Sequence, residues 1–386
     1  MMRVLAFGTL ILSAISAAAH PTPMVNCNEG ESLNRALAGI EKFEPVTVTF
    51  TGTCREYVLV DGFTHLTLKG EHGATIQQPA TPPPATPPNP SFVLSVKASH
   101  SVIFSGFAVH SQPTVASSIG IGGGSSDVLL RDITSDGAWG VWVYEASQVW
   151  LIGVTVNLTS GYAALSAFDK SDVHIVNGLL HRPADGNFDA GLFVASGHVT
   201  VQGLTIRDMQ QGIVINSSGS VDIGHFHATN ACTDVTIENP SGTNDNGATV
   251  MDTSSLNVGS ARLVITNAGQ PWGGDTGGVL VSNGSTLTAG SNLVVSGSQS
   301  QGVVVSNNSH ADFGGSSITG NAHGGLVVVN SSTATADTSN PLTGIGSNGT
   351  DLFCDSNSQI AGAQNIANAT AVQCQNLLPG PYKSLP

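Results

Sequence analysis

The chain has 386 residues, with 12 Lys and Arg set against 26 Asp and Glu, and its formal net charge of −14 makes phosphate backbones and anionic membranes poor partners. A nucleic-acid groove is excluded as an expectation. Charged residues make up only 10% of the chain while Gly reaches 46, so the wet faces must be built from Ser, Thr and Asn. Strands tolerate such a surface; long amphipathic helices, which need Lys, Glu and Arg outside, do not. The length admits two ordinary domains or one elongated repeat array, and the composition favours the array.

In chain order, Arg3 precedes an apolar run from Val4 that finishes on Ala17, Ala18 and Ala19. That reads as a signal peptide over residues 1–19, so the mature protein is expected to be secreted, periplasmic or extracellular. The alternative, a membrane anchor, fits poorly because the run is short and lacks basic stop-transfer residues. No later transmembrane segment is expected. Residues 20–55 read as an N-terminal cap containing a helix over Glu31–Ile40, with Leu33, Leu37 and Ile40 on one face, which would cover the open end of a stack of strands. The Pro-rich stretch 79–91 reads as a loop, since Pro cannot join a central strand.

A repeat then sets in: a small residue, often Gly, followed by apolar, any, apolar. It opens at Ser118, Gly140, Ala164, Gly191, Gly212, Gly247, Gly278, Gly302 and Gly325, with a minimum period of about 22 residues and the excess in loops. A second pattern recurs within each unit, as in Val149-Trp150-Leu151 and Val154-Thr155-Val156. Three strands of about five residues, each rising about 3.3 Å per residue, make one triangular coil. The predicted fold is therefore all-β: a single right-handed parallel β-helix over residues 44–355, with residues 356–386 as a C-terminal tail. Gly and Asn are expected to supply φ > 0 at its corners. A leucine-rich repeat would show a Leu/Asn consensus and a β-sandwich would not hold this period, so both fit less well.

The repeat resembles the right-handed parallel β-helix proteins of the pectate-lyase-like superfamily over roughly residues 44–355. The matching residues are core and corner positions, so the resemblance speaks to architecture rather than to activity. It implies a polysaccharide or envelope partner, bound along the first strand of each coil. By alternation the outward positions there are Gly120 and Gly122, Trp142 and Tyr144, Ser166 and Phe168, Phe193 and Ala195, then Val214 and Asn216. The Asn-Thr-Asp, Gly-His-Gly and Arg-Ile-Lys elements of a polygalacturonase are absent, as are the clustered acids that would hold Ca²⁺ in a pectate lyase. Gly224-His225-Phe226-His227 is the nearest approach to a motif.

The outward columns instead carry Trp142, Tyr144, Phe168 and Phe193 on neighbouring coils, a candidate carbohydrate-stacking surface unless a loop covers it. Charges fall in the turns: Asp136, then Arg182, Asp185 and Asp189, then Arg207 beside Asp208, with Glu145, Asp169 and Lys170 just after the first strand. They are either solvated corner charges or a divergent site for a polysaccharide lyase, hydrolase or epimerase. In the second case a base such as His181 or Lys170 would act with Arg182 or Arg207 neutralising a uronate. The first expectation is a non-catalytic polysaccharide-binding or scaffold protein; the enzyme is the alternative. No cofactor is identifiable, and no zinc-ligand spacing or support for Ca²⁺ appears. Export makes disulfides the default, pairing Cys27 with Cys54 and Cys354 with Cys374, and leaves Cys232 as a small buried hydrophobe.

Overall fold

A computed structural model describes residues 23–80, 91–112, 116–182, 189–224, 233–238, 246–269, 276–290, 292–336, 342, 344–362, 366 and 369–378. The leader 1–19, most of the Pro-rich loop, Asp185, His225, His227, Cys232 and the last residues of the tail lie outside them.

Alternating Val, Ile and Leu with Ser, Thr and Gly produces short strands with one face to bury, and stacking each coil on the last buries it. Among the described residues, thirteen strands form one continuous sheet and twenty-three more form a second set covering the other two sides of the triangle. The second set is contiguous because strands such as Asp172–His181 and His198–Arg207 run through a corner and serve both sides. Every pairing is parallel, and parallel crossovers are right-handed almost without exception. The register gives unbroken inner columns: Ile119, Val141, Leu165, Leu192 and Ile213 stand on one another, all 0 or 1% exposed. Each such side chain contributes on the order of 2 kcal/mol by leaving water.

In many coils the corner after the thirteen-strand-sheet strand is made by a pair of left-handed residues, Glu145 and Ala146 in one coil, Asp169 and Lys170 in the next, Asn307 and Asn308 further on. A buried serine follows these three pairs and ties adjacent coils together. The Ser147 amide donates to Ser171 Oγ at 3.3 Å, the Ser285 amide to Ser309 Oγ at 3.2 Å, and the Ser309 amide to Ser332 Oγ at 3.2 Å. Outside it, Asn307 Nδ2 donates to Asn283 Oδ1 at 3.2 Å and Asn330 Nδ2 to Asn307 Oδ1 at 3.1 Å.

The glycines that open the units have a different cause from the one their recurrence suggests. Gly191 and Gly212 are not among the residues with positive φ. They lie near the start of the strands Ala190–Ala195 and Gln211–Asn216, where an added Cβ would lie closer than 3.0 Å to Ile206 Cγ2 and to the Gly247 carbonyl oxygen, respectively.

The N-terminal helix is shorter than its periodicity suggests, Leu33–Ala38, because Ser32 caps it and Gly39 ends it. Leu33 and Leu37 are buried, and the Glu56 carboxylate accepts from the Leu33 amide at 2.7 Å and from Ser32 Oγ at 2.8 Å. Both disulfides form as expected, Cys27–Cys54 and Cys354–Cys374. The second continues the inner column Val305, Val328, Cys354, Cys374, so the last core rung is covalent. Coil pairing runs past residue 355, through Gln359–Ala361 to Leu377–Leu378.

Candidate functional site

The register of the thirteen-strand sheet sets Gly120, Trp142, Ser166, Phe193 and Val214 in one outward column. Phe168 falls in the next, opposite Ala195 and Asn216. Trp142 lies 5.3 Å from Phe168 and Phe168 lies 5.5 Å from Phe193, both pairs tilted. Tyr144 stacks on Phe92 at 5.9 Å. Gly120 and Gly122 are the floor beneath these two rings, since a Cβ at either would meet the Phe92 or the Tyr144 ring.

Packed this way, the four predicted rings are largely covered: Phe193 is 7% exposed and the other three are intermediate. The exposed rings touching this cluster are two that alternation does not reach, Trp139 at 36% and Tyr162 at 47%. Both sit at corners rather than in strands. Trp139 packs on Trp142 at 5.4 Å and Tyr162 on the edge of Phe193 at 5.2 Å. Trp139 also has φ 51°, a conformation that a bulky side chain adopts only when its surroundings enforce it. Gly161, against whose Cβ position the Trp139 backbone and ring edge lie, leaves room for it.

A small cleft of about 40 Å³ opens beside these rings, lined by Tyr162, Asp189, Ala190, Phe193, Gln211 and Val214. Along the same sheet, Trp142 Nε1, Tyr144 Oη, Ser166 Oγ and Thr249 Oγ1 are buried with no hydrogen-bond partner, whereas buried polar atoms are ordinarily paired. Burial, with the Glu145 charge adding to it, pushes the Tyr144 hydroxyl above its ordinary pKa.

The predicted charges do not meet at one point. Arg182 and Asp189, 7% and 3% exposed, form an ion pair with each other, and Asp189 Oδ1 also accepts from the Gln210 amide at 2.8 Å. Asp136 lies on the opposite side of that corner, accepting from Asn157 Nδ2 at 2.6 Å and 3.1 Å from His110 Nδ1. Register then exposes an order hidden by unequal loops: His110, Asp136, Asn157, His181, Arg207 and Glu238 form a single outward column, one per coil. Asp136 and Arg207 stand three coils apart in it, about 14 Å at about 4.8 Å per coil. His181 Nε2 is 3.1 Å from Asp208 Oδ2. Glu145, Asp169 and Lys170 are the left-handed corner residues described above.

The remaining side carries a cluster that the sequence does not single out. His174 stacks on Trp150 at 4.1 Å and reaches Asp172 at 3.3 Å, and the His174 hydrogen bond holds the Asp172 carboxyl below its ordinary pKa against the opposing effect of burial. Among the described residues, the one close group of three potential metal ligands is Cys27, Cys54 and Glu56, and its two cysteines are joined in a disulfide. No helix among them is long and apolar enough to cross a membrane.

No protein-family model and no curated protein matches the chain. Among solved structures it is similar to a single-substitution mutant of the periplasmic alginate epimerase AlgG, at 11% identity over 92% of this chain and 83% of that one, with a TM-score of 0.47. It is also similar to PfbA, a surface adhesin of Streptococcus pneumoniae, at 12% identity over 92% of each chain with a TM-score of 0.42. A third is tailspike protein 3 of bacteriophage CBA120, at 12% identity over 94% of this chain and 62% of that one, also with a TM-score of 0.42. Similarity this remote carries nothing of those proteins' activities to the present chain. The stacked parallel coils, their unbroken inner columns and the serine-tied corners are sufficient for the architecture: this chain is a right-handed parallel β-helix protein.

Proposed function

We propose that this protein works outside the cytoplasm as a non-catalytic binder of an extended polysaccharide, such as one at a cell-envelope surface. The exposed rings Trp139 and Tyr162 would form its contact, backed by Trp142, Phe168 and Phe193, with Tyr144 further along the same face. The observation that carries the reading is Trp139: an exposed indole, held in a left-handed backbone conformation and backed by Trp142, at the head of a run of touching rings. Backbone strain of this kind is retained where a side chain must be presented in one way, and flat ring faces suit the C–H faces of sugars. Two disulfides and the apolar N-terminal run support an extracytoplasmic site.

Glycan-array binding of the protein is compared with that of Trp139→Ala and Tyr162→Ala, with thermal unfolding as the check on folding. Each substitution is expected to weaken binding about five- to tenfold, corresponding to about 1 kcal/mol of ring contact. An array on which nothing binds, or on which both variants behave as the parent, removes this reading.

One observation favours a second reading, a lyase, hydrolase or epimerase acting on a uronate polymer. His181, oriented by Asp208 at 3.1 Å, stands beside Arg207 in the outward polar column, a base next to a cation able to neutralise a carboxylate. Incubation with uronate polymers would then yield unsaturated products, new reducing ends or altered epimer composition. His181→Ala would lose that activity; no product of any of these kinds rules the enzyme out.

A further inference from the structure

We infer that the cleft beside Tyr162 and Phe193 selects a neutral sugar and discriminates against uronates, an inference that rests on the polysaccharide-binding reading above. Of its lining residues, the charged one among those described is Asp189, an acid. Asp189 is 3% exposed and is already engaged, on one oxygen by Arg182 and on the other by the Gln210 amide at 2.8 Å. Arg182, itself 7% exposed, is the cation nearest to hand. For its guanidinium to turn to a ligand carboxylate, Asp189 would be left as a buried charge without its counterion, a far larger loss than an exposed pair would suffer.

The opposite edge of the ring surface gives no compensation. The corner acids Glu145 and Asp169 are there offset by Lys170 and by Lys97, which lies in register with Gly122, so the edge has no net positive charge, and the whole chain carries −14. A polyanion therefore approaches against the field. What the cleft does offer is apolar and uncharged: the Tyr162 and Phe193 rings, Val214, and the Gln211 amide, which both donates and accepts. Those are the groups that meet the C–H faces and hydroxyls of an uncharged pyranose. The basic side chains His181 and Arg207 belong to the separate outward polar column.

The test is titration calorimetry with neutral oligosaccharides and with uronate oligosaccharides of the same length and linkage. Each is measured on the parent protein and on Trp139→Ala, so that binding through the rings is separated from binding through the polar column. Ring-dependent binding of the neutral series is expected to be at least about tenfold tighter, with the gap narrowing at high salt as repulsion is screened. In Gln211→Arg, which places a free cation in the cleft lining, the preference is expected to shrink by about tenfold. Uronate binding as tight as the neutral series and abolished by Trp139→Ala overturns the inference while leaving polysaccharide binding intact. Failure of both series to bind overturns the reading beneath it, and the inference with it.

Discussion

Gly212 shows how much of this chain is governed by clearance rather than by backbone freedom. Its φ is not positive, yet a Cβ there would lie closer than 3.0 Å to the Gly247 carbonyl and to Ile237 Cγ2. The first of these is backbone shared with the next coil, so it cannot swing away as a flexible side chain would. Gly212→Ala is therefore expected to lower stability by about 1–3 kcal/mol, read as a drop in Tm, because overpacking a tight core forces strain into both coils. Gly73 makes the contrast, with φ 74° and open space around it; alanine there meets only the conformational cost, about 1 kcal/mol. Asp351 is a second residue whose role follows from its surroundings. Burial raises its pKa, but the donated Thr370 and Ala371 amides and the Asn348 side chain outweigh burial, so the carboxyl is held below its ordinary value. A depressed folded-state pKa stabilises above the unfolded value of about 3.9 and loses that contribution as the pH falls through the folded one. Acid unfolding should accordingly begin below about pH 4, and Asp351→Asn should flatten that acid limb in a pH series of melting curves.

At the scale of the strand and its corner, legibility divides along a physical line. The inner columns are readable because burial imposes period two and stacking imposes a repeat near 22 residues, so Val141, Leu165 and Leu192 declare their positions many times over. The outward positions of Trp142 and Phe193 follow from the same alternation. Trp139, Tyr162 and Phe92 do not, because corners have no period and the strand around Phe92 departs from simple alternation: Val93 and Leu94 both enter the core. The polar column from His110 to Glu238 escapes for another reason. Its members are one coil apart in space but separated in sequence by loops of unequal length, and only register recovers the alignment. Charge in the sequence also does not reveal pairing: Arg182 and Asp189, which the sequence offers as separate candidates, form an ion pair in the fold.

At the scale of the molecule, each coil touches only the coils before and after it, so stability accumulates along the axis in nearest-neighbour steps. The terminal coils have one neighbour instead of two and would be the natural points of fraying. Here both are tied, by Cys27–Cys54 at one end and by Cys354–Cys374 at the other. Replacing Cys374 by Ser should cost about 3 kcal/mol in the chain-entropy account of a crosslink. It should raise amide exchange in residues 350–378 while the coils around Leu165 stay protected; uniform loss of protection along the chain would contradict the nearest-neighbour picture. The covalent last rung also bears on how long the folded protein persists. With both ends fastened, disassembly has to start in the interior, where one opened coil breaks two interfaces at once. The barrier to the first step is thereby raised more than the equilibrium is shifted, and persistence against heat and proteases becomes a matter of rate.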